Sequence, residues 1–153
     1  MKVNQFMRED LCTVSPDAPL QTVLKLQAER SHDSRLTCVI EYDMTLLGVV
    51  TYHALLSRLA PAALVQELSG QGQPFEEERR LLLNFREVRR TPVREIMIQG
   101  YPSLSPEDGV LSACALFGDK AVTAVPVVDV RGLLLGEVTR RLLLRALAGR
   151  MLD

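Results

Sequence analysis

One stretch of this chain occurs twice, and that repetition limits its folds more than any other feature. Val125 to Leu147 runs through a β-branched segment (Val125 to Val128), a turn carrying Gly132, a second apolar segment ending at Thr139, and a helix-forming run rich in leucine and arginine. Strand-forming runs on either side of a glycine-bearing turn predict a hairpin, and Thr139 then opens an amphipathic helix. Setting Gly136 on Gly48, an offset of 88, places Val127, Val128 and Asp129 on Val39, Ile40 and Glu41, and Thr139 on Thr51. At an offset of 90, Leu104 to Val110 lies on Val14 to Leu20, and Val93 to Met97 on Val3 to Met7. The two-residue difference falls in a connection between helix and strand, where insertions are tolerated. Functional positions should therefore come in pairs.

The 153 residues suit one compact domain or two small ones. Units of about 60 residues are marginal alone, so the two copies are expected to share a core. Apolar content of 47%, 24% charged residues and a formal net charge of -1 describe a globular chain with no long-range pull toward nucleic acid or anionic lipid. Cys12, Cys38 and Cys114 lie far apart with no Cys-x-x-Cys spacing, which argues against a zinc site or a disulfide framework and for reduced thiols. No stretch approaches the roughly 20 apolar residues of a membrane span, and a cytoplasmic location is expected.

Along the chain, Val3 to Met7 predicts a short helical lead-in, Leu11 to Val14 an extended segment, and Ser15-Pro16-Asp17 a turn. A helix over about 19–31 follows, with Leu20, Val23, Leu24 and Leu26 on its buried side. Strands at Thr37 to Tyr42 and Leu46 to Thr51 precede a helix from Tyr52 to Leu59. Residues 60–92 have no counterpart in either repeat. Pro61 starts a short helix carrying Leu64, Val65 and Leu68, which Gly70 ends. The next helix has Glu76, Glu77 and Glu78 near its start and Arg86, Arg89 and Arg90 near its end, a polarity that complements the helix macrodipole. Leu81, Phe85 and Val88 recur at helical spacing with Leu82 beside them, so this helix should dock on the shared core. In the second copy, Val110, Cys114, Leu116 and Phe117 mark an apolar helix face, Leu142 to Leu147 should be largely buried, and Gly149 to Asp153 should fray.

Taken together, these residues resemble the tandem CBS-domain family, named after cystathionine β-synthase, whose pairs are called Bateman modules. Each half begins with a Val-x-x-hydrophobic-Met lead, continues with a Ser-Pro-acidic turn and closes on Gly-x-Val-Thr before a helix; the second half also has Val-Pro-Val-Val-Asp at 125–129. The resemblance implies an α/β (α+β) fold of two pseudo-symmetric βαββα units, 1–59 and 93–153, packed sheet to sheet, with 60–92 as a helical connector. It implies a homodimer and a regulatory sensor without catalysis, binding AMP, ATP or S-adenosylmethionine in clefts between the units. The candidate contacts are Thr13, Val39, Thr51 and His53 from the first half and Ser103, Val127, Thr139 and Arg140 from the second.

The logic of such a cleft is readable from the residues. Thr51 and Thr139 stand at strand ends just before helices, so each hydroxyl, with the first-turn N–H groups, is placed to receive a phosphate. Arg140 and Arg141 would add charge beside the second site and His53 beside the first. The family's ribose-binding aspartate, three residues after the threonine, is replaced by Ala54 and Leu142. Losing that charge-assisted bond costs about 1.5–3 kcal/mol. Glu137 stands where the first half has Val49, on the same strand face as Thr139. It is expected to lie at an exposed edge or to be paired with an arginine, Arg140 or Arg141 being the near ones, with a bound cation as the alternative; turned inward, it would weaken the second cleft for anions.

The alternative is a ligand-free module with degenerate clefts, built for dimerisation or for docking a protein target through 60–92. Other chemistries find little support. No phosphate-binding glycine loop is present, and neither His32 nor His53 lies near a nucleophile, so His32 reads as a solvated loop residue. Acidic residues alternate with the arginines of 79–94, which reads as a solvated helix face and not as a nucleic-acid surface. The basic, leucine-rich C-terminal helix imitates a membrane-surface helix, but its counterpart in the first repeat argues for core packing. Cys38 and Cys114 read as small core fillers.

Overall fold

The computed structural model describes residues 1–30, 36–70 and 72–152, so the expectation for His32 lies outside the described residues. The element order follows the repeat. A 3-10 turn at Val3–Gln5 is followed by β1 (Thr13–Val14), α1 (Leu20–Glu29), β2 (Leu36–Ile40), β3 (Leu46–Thr51) and α2 (Tyr52–Leu59). After α3 (Ala62–Leu68) and α4 (Pro74–Val88), a second 3-10 turn at Val93–Glu95 leads to α5 (Val110–Phe117), β4 (Ala124–Val128), β5 (Leu134–Thr139) and α6 (Arg140–Met151).

The two hairpins repeat each other down to their irregularities. Val39 faces Gly48 in one and Val127 faces Gly136 in the other, and the register slips at the same place, after Val39 and after Val127. Their turns abut through bonds of the same kind: Leu46 N–H donates to the Gly132 carbonyl at 3.0 Å and Leu134 N–H to the Met44 carbonyl at 2.9 Å. One difference has a covalent cause. β1 runs parallel to β2, and Cys38 N–H donates to the Cys12 carbonyl at 2.8 Å. At the matching position Pro126 has no N–H to give, so the second sheet keeps two strands, with Leu104 attached to Val127 by a single parallel bridge.

The opening segment of each half seals the hairpin of the other. Val3 is fully buried with Leu104, Phe117, Val125, Val127, Val138 and Leu143, all of the second half. Val93 is fully buried with Val14, Leu20, Val23, Val39, Val50 and Leu55, all of the first. The bonds correspond one for one. Val3 N–H meets the Asp108 carbonyl at 2.8 Å and Val93 N–H the Ala18 carbonyl at 2.8 Å; Asn4 N–H meets Pro106 at 3.1 Å and Arg94 N–H meets Pro16 at 3.0 Å. Lys2 reaches Glu107 and Arg94 reaches Asp17, acids at matching positions of the two turns. A third cluster, Leu36, Cys38, Val49, Ala124 and Leu134, lies between the hairpins.

Between the halves, α3 and α4 form a helical pair clamped onto the end of α2. Arg80 grips Glu67 with both terminal nitrogens, and Asn84 Nδ2 donates to the carbonyls of Arg58 and Leu59, each at 2.9 Å. Phe85 and Val88 pack on the first core as expected. Leu81 instead faces α3 and Leu82 faces solvent, because the short α3 covers part of the stripe and α2 is too brief to cover the rest. In α6, Leu143 is buried but Leu144 is exposed, so Leu142 to Leu147 is a one-sided stripe and not a buried run. The helix also continues through Gly149 to Met151, where fraying was expected. Among the described residues, no helix is long and apolar enough to cross a membrane.

Candidate functional site

Each Gly-x-Val-Thr strand ends on a threonine that caps the next helix. Thr51 Oγ1 accepts the Ala54 N–H at 3.1 Å and Thr139 Oγ1 accepts the Leu142 N–H at 3.2 Å. Both threonines have extended backbone, as a cap requires. The cap uses a lone pair of each hydroxyl and leaves its proton free to donate outward.

Thr51 opens on a cleft of about 510 Å³ lined by Tyr52, His53, Ile98, Tyr101, Ala121 and Thr123. Its walls therefore come from both halves. Ile98 is held there by a two-way backbone pair with Val49, at 2.7 and 3.0 Å. Tyr101 is fixed by its hydroxyl, which donates to the Ala124 carbonyl at 3.0 Å; burial, together with the nearby charge of Asp119, pushes its phenol above the ordinary value. Three rings, Tyr52, His53 and Tyr101, border a space whose lining, among the described residues, holds no lysine, arginine or carboxylate. Such walls suit a flat, uncharged group.

The other expected residues are distributed unevenly. Val39 and Val127 are fully buried in opposite cores, so their side chains are unavailable and only backbone edges remain. Thr13 sits on β1 opposite Cys38. Ser103 borders a hollow of about 220 Å³ with Gly100, Val128 and Gly132, which adjoins the Thr51 cleft through the shared Ile98 and Tyr101. Arg140 does not offer its charge to the second cleft as expected. Its Nε donates to the Val122 carbonyl at 3.0 Å, its Nη2 to the Asp119 carbonyl at 2.8 Å, and its guanidinium covers the Phe117 ring at 5.7 Å. It ties the loop after α5 to the start of α6.

Glu137 is not at an exposed edge; it is arginine-paired as expected, but with Arg8 and not with its neighbours Arg140 or Arg141. It is fully buried, and its Oε1 accepts from Arg8 Nη2 at 2.7 Å. The backbones of the two residues are also doubly bonded, both at 2.9 Å. Arg8 thus occupies, in the second half, the seat that Ile98 takes beside Val49 in the first. Tyr101, Ile98 and Arg8 were not legible as site residues, because only the crossing of the lead-ins brings them there; the alignment of Arg8 near the repeated methionine was the one available signal.

With this geometry in view, comparison with known proteins is decisive on ancestry. The CBS domain model matches residues 3–61 and 93–149. The chain belongs to the CBS domain family. It is a tandem CBS pair, or Bateman module, similar to CBSX2 from Arabidopsis thaliana at 25% identity, with 99% of this chain and 97% of that one covered and a TM-score of 0.75. A structure of CBSX2 in complex with AMP superimposes with a TM-score of 0.72 over 97% of both chains, again at 25% identity. The CBS pair of protein MJ0100, in complex with 5'-methylthioadenosine and S-adenosyl-L-methionine, shares the fold at 15% identity and a TM-score of 0.71, with 98% of each chain covered. Comparison with curated proteins finds no match.

Proposed function

We propose that this CBS pair is a regulatory sensor that binds an adenosine-containing nucleotide in its inter-repeat clefts and catalyses nothing itself. The observation that carries the reading is the cleft beside Thr51, where a capping hydroxyl with a free proton stands among Tyr52, His53 and Tyr101. The rings offer faces for a base, and the hydroxyl with the first turn of α2 offers donors for a phosphate. The likeness to CBSX2, crystallised with AMP, supports the same class of ligand. In this reading 1–59 and 93–153 are the two sensing units and 60–92 is their connector. The module works as a homodimer: Leu56 on α2 and Leu144 on α6, matching positions of the repeat, are 62% and 66% exposed and give a paired apolar face.

A thermal-shift panel with AMP, ADP, ATP, S-adenosylmethionine and NAD tests it. A ligand at a hundred times its Kd adds about 2.7 kcal/mol, which moves the midpoint by several degrees. Thr51→Val combined with Thr139→Val should abolish the phosphate-dependent part of the shift, and light scattering should report a dimer. Silence across the panel would instead favour a ligand-free interaction module. That second reading draws on Ala54 and Leu142 at the ribose positions and on Phe75, 79% exposed at the start of α4.

A further inference from the structure

The wall that the second half lends to the Thr51 cleft is a short loop. Ala121 and Thr123 line the cleft from the segment between α5 and β4. Within that segment the Val122 N–H donates to the Asp119 carbonyl at 3.1 Å, and the Asp119 carboxylate accepts the Ala121 N–H at 2.9 Å. These bonds fold the loop on itself. Val122, which is buried, anchors it in the second core, and Arg140 bonds it to α6.

Arg140 reaches the loop three times. Its backbone N–H donates to the Thr123 carbonyl at 3.4 Å, its Nε to the Val122 carbonyl at 3.0 Å and its Nη2 to the Asp119 carbonyl at 2.8 Å. The last two bonds come from one rigid, planar group, and a cationic donor makes the stronger kind of bond to a carbonyl. The Phe117 ring, 5.7 Å from the guanidinium, fixes the plane from which it approaches. Arg140 is not itself among the residues that line the cleft, whereas Tyr52, at the matching position of the first half, is. One position of the repeat thus serves the same cleft twice, as lining from one copy and as support from the other.

We infer that Arg140 is a positioning residue for the Thr51 cleft: it stands beside the other threonine, yet it sets the second-half wall of the first cleft by holding Asp119 and Val122, leaving Ala121 and Thr123 to meet the ligand. The inference rests on the reading of that cleft as a nucleotide site. It adds that affinity there is written partly into the first turn of α6.

The test uses the full chain, with adenosine and AMP titrated by calorimetry well below each variant's thermal midpoint and amide hydrogen exchange followed across 119–124. Arg140→Met keeps a stem over Phe117 and removes the donors. Arg140→Lys keeps the charge without the planar fork that spans two carbonyls, and it serves should the first variant fold poorly. Arg141→Gln removes a charge from the exposed neighbouring position. Affinity for both probes is expected to fall alike, about five- to ten-fold in Arg140→Met and less in Arg140→Lys, with faster exchange of the Ala121 and Val122 amides. Arg141→Gln should leave adenosine binding and exchange as in the parent; an equal loss there would trace the effect to charge and overturn the inference. A loss for AMP alone would make Arg140 a direct phosphate contact and overturn it too. So would unchanged exchange, or a lowered midpoint with unchanged affinity, which is what a merely structural residue gives. A parent that binds neither probe ends the nucleotide reading, and the hold of Arg140 on the wall then stands or falls on the exchange alone.

Discussion

Met7 rests its thioether on the bare α-carbon of Gly136: a Cβ there would come within 2.7 Å of the sulfur and 2.9 Å of the Arg8 carbonyl oxygen. Met97 lies on Gly48 in the same way, with the Ile98 carbonyl oxygen at 2.9 Å from the position a Cβ would take. The sulfur can swing aside, but the carbonyl belongs to a paired backbone and cannot. Gly48→Ala and Gly136→Ala should therefore each destabilise by about 1–3 kcal/mol, the range for overpacking a closed interior. Urea unfolding of the two variants measures this, and near-parental midpoints would show that the lead-ins sit more loosely than drawn.

The turns of the two hairpins carry a second asymmetry. Gly132 has φ +84°, and its counterpart Met44 has φ +76°, the one non-glycine residue of positive φ among the described residues. A side chain in that conformation costs roughly 1 kcal/mol. Met44→Gly should thus raise stability by up to about 1 kcal/mol, less what the unfolded chain gains in freedom. Gly132→Met should lower it. Thermal midpoints of the pair decide the matter, and opposite signs are the expected outcome.

Removing Arg8 alone strips the guanidinium from a carboxylate that has no exposure to water. Arg8→Ala should cost up to about 3 kcal/mol, and the loss in Arg8→Ile with Glu137→Val should be smaller than the sum of the two single losses. The comparison is a double-mutant cycle read by denaturant unfolding. Additive losses would mean that the two side chains are not coupled.

Cys38 should make stability fall in alkali. Its thiol is pushed up to about 12, first by burial, then by the charges of Glu137 and Cys12. In the unfolded chain it ionises near the ordinary value of 9.0, so between the two values the unfolded state holds fewer protons than the native one. Stability is then complete below about pH 9 and declines as pH rises toward 12, by at most about 1.4 kcal/mol per pH unit. Cys38→Ser should flatten that limb of the curve. Under native conditions at pH 8, alkylation should reach Cys114, which is partly exposed, before Cys12 or Cys38, which are buried.

What the sequence made legible was whatever its own periodicity determines. The offset of Gly136 on Gly48 located both hairpins and both capping threonines, because strand alternation and helix caps are local properties. The exchange of lead-ins leaves no local trace, so the sequence points Glu137 to its neighbours Arg140 and Arg141, whereas Arg8 lies 129 positions away. Arg140 misled for the opposite reason: its position beside Thr139 is right for a phosphate, but the Asp119 and Val122 carbonyls are closer. Leu144 and Leu82 look as apolar as their buried neighbours, and only the width of the surface each helix covers separates them.

The crossed arms have a further corollary. A single copy of the repeat, folded by itself, would carry a plug for a hole that it does not own, with Val3 or Val93 left in water. Such a copy would need the arm of another molecule to fill that hole, and the tandem chain supplies that arm from within.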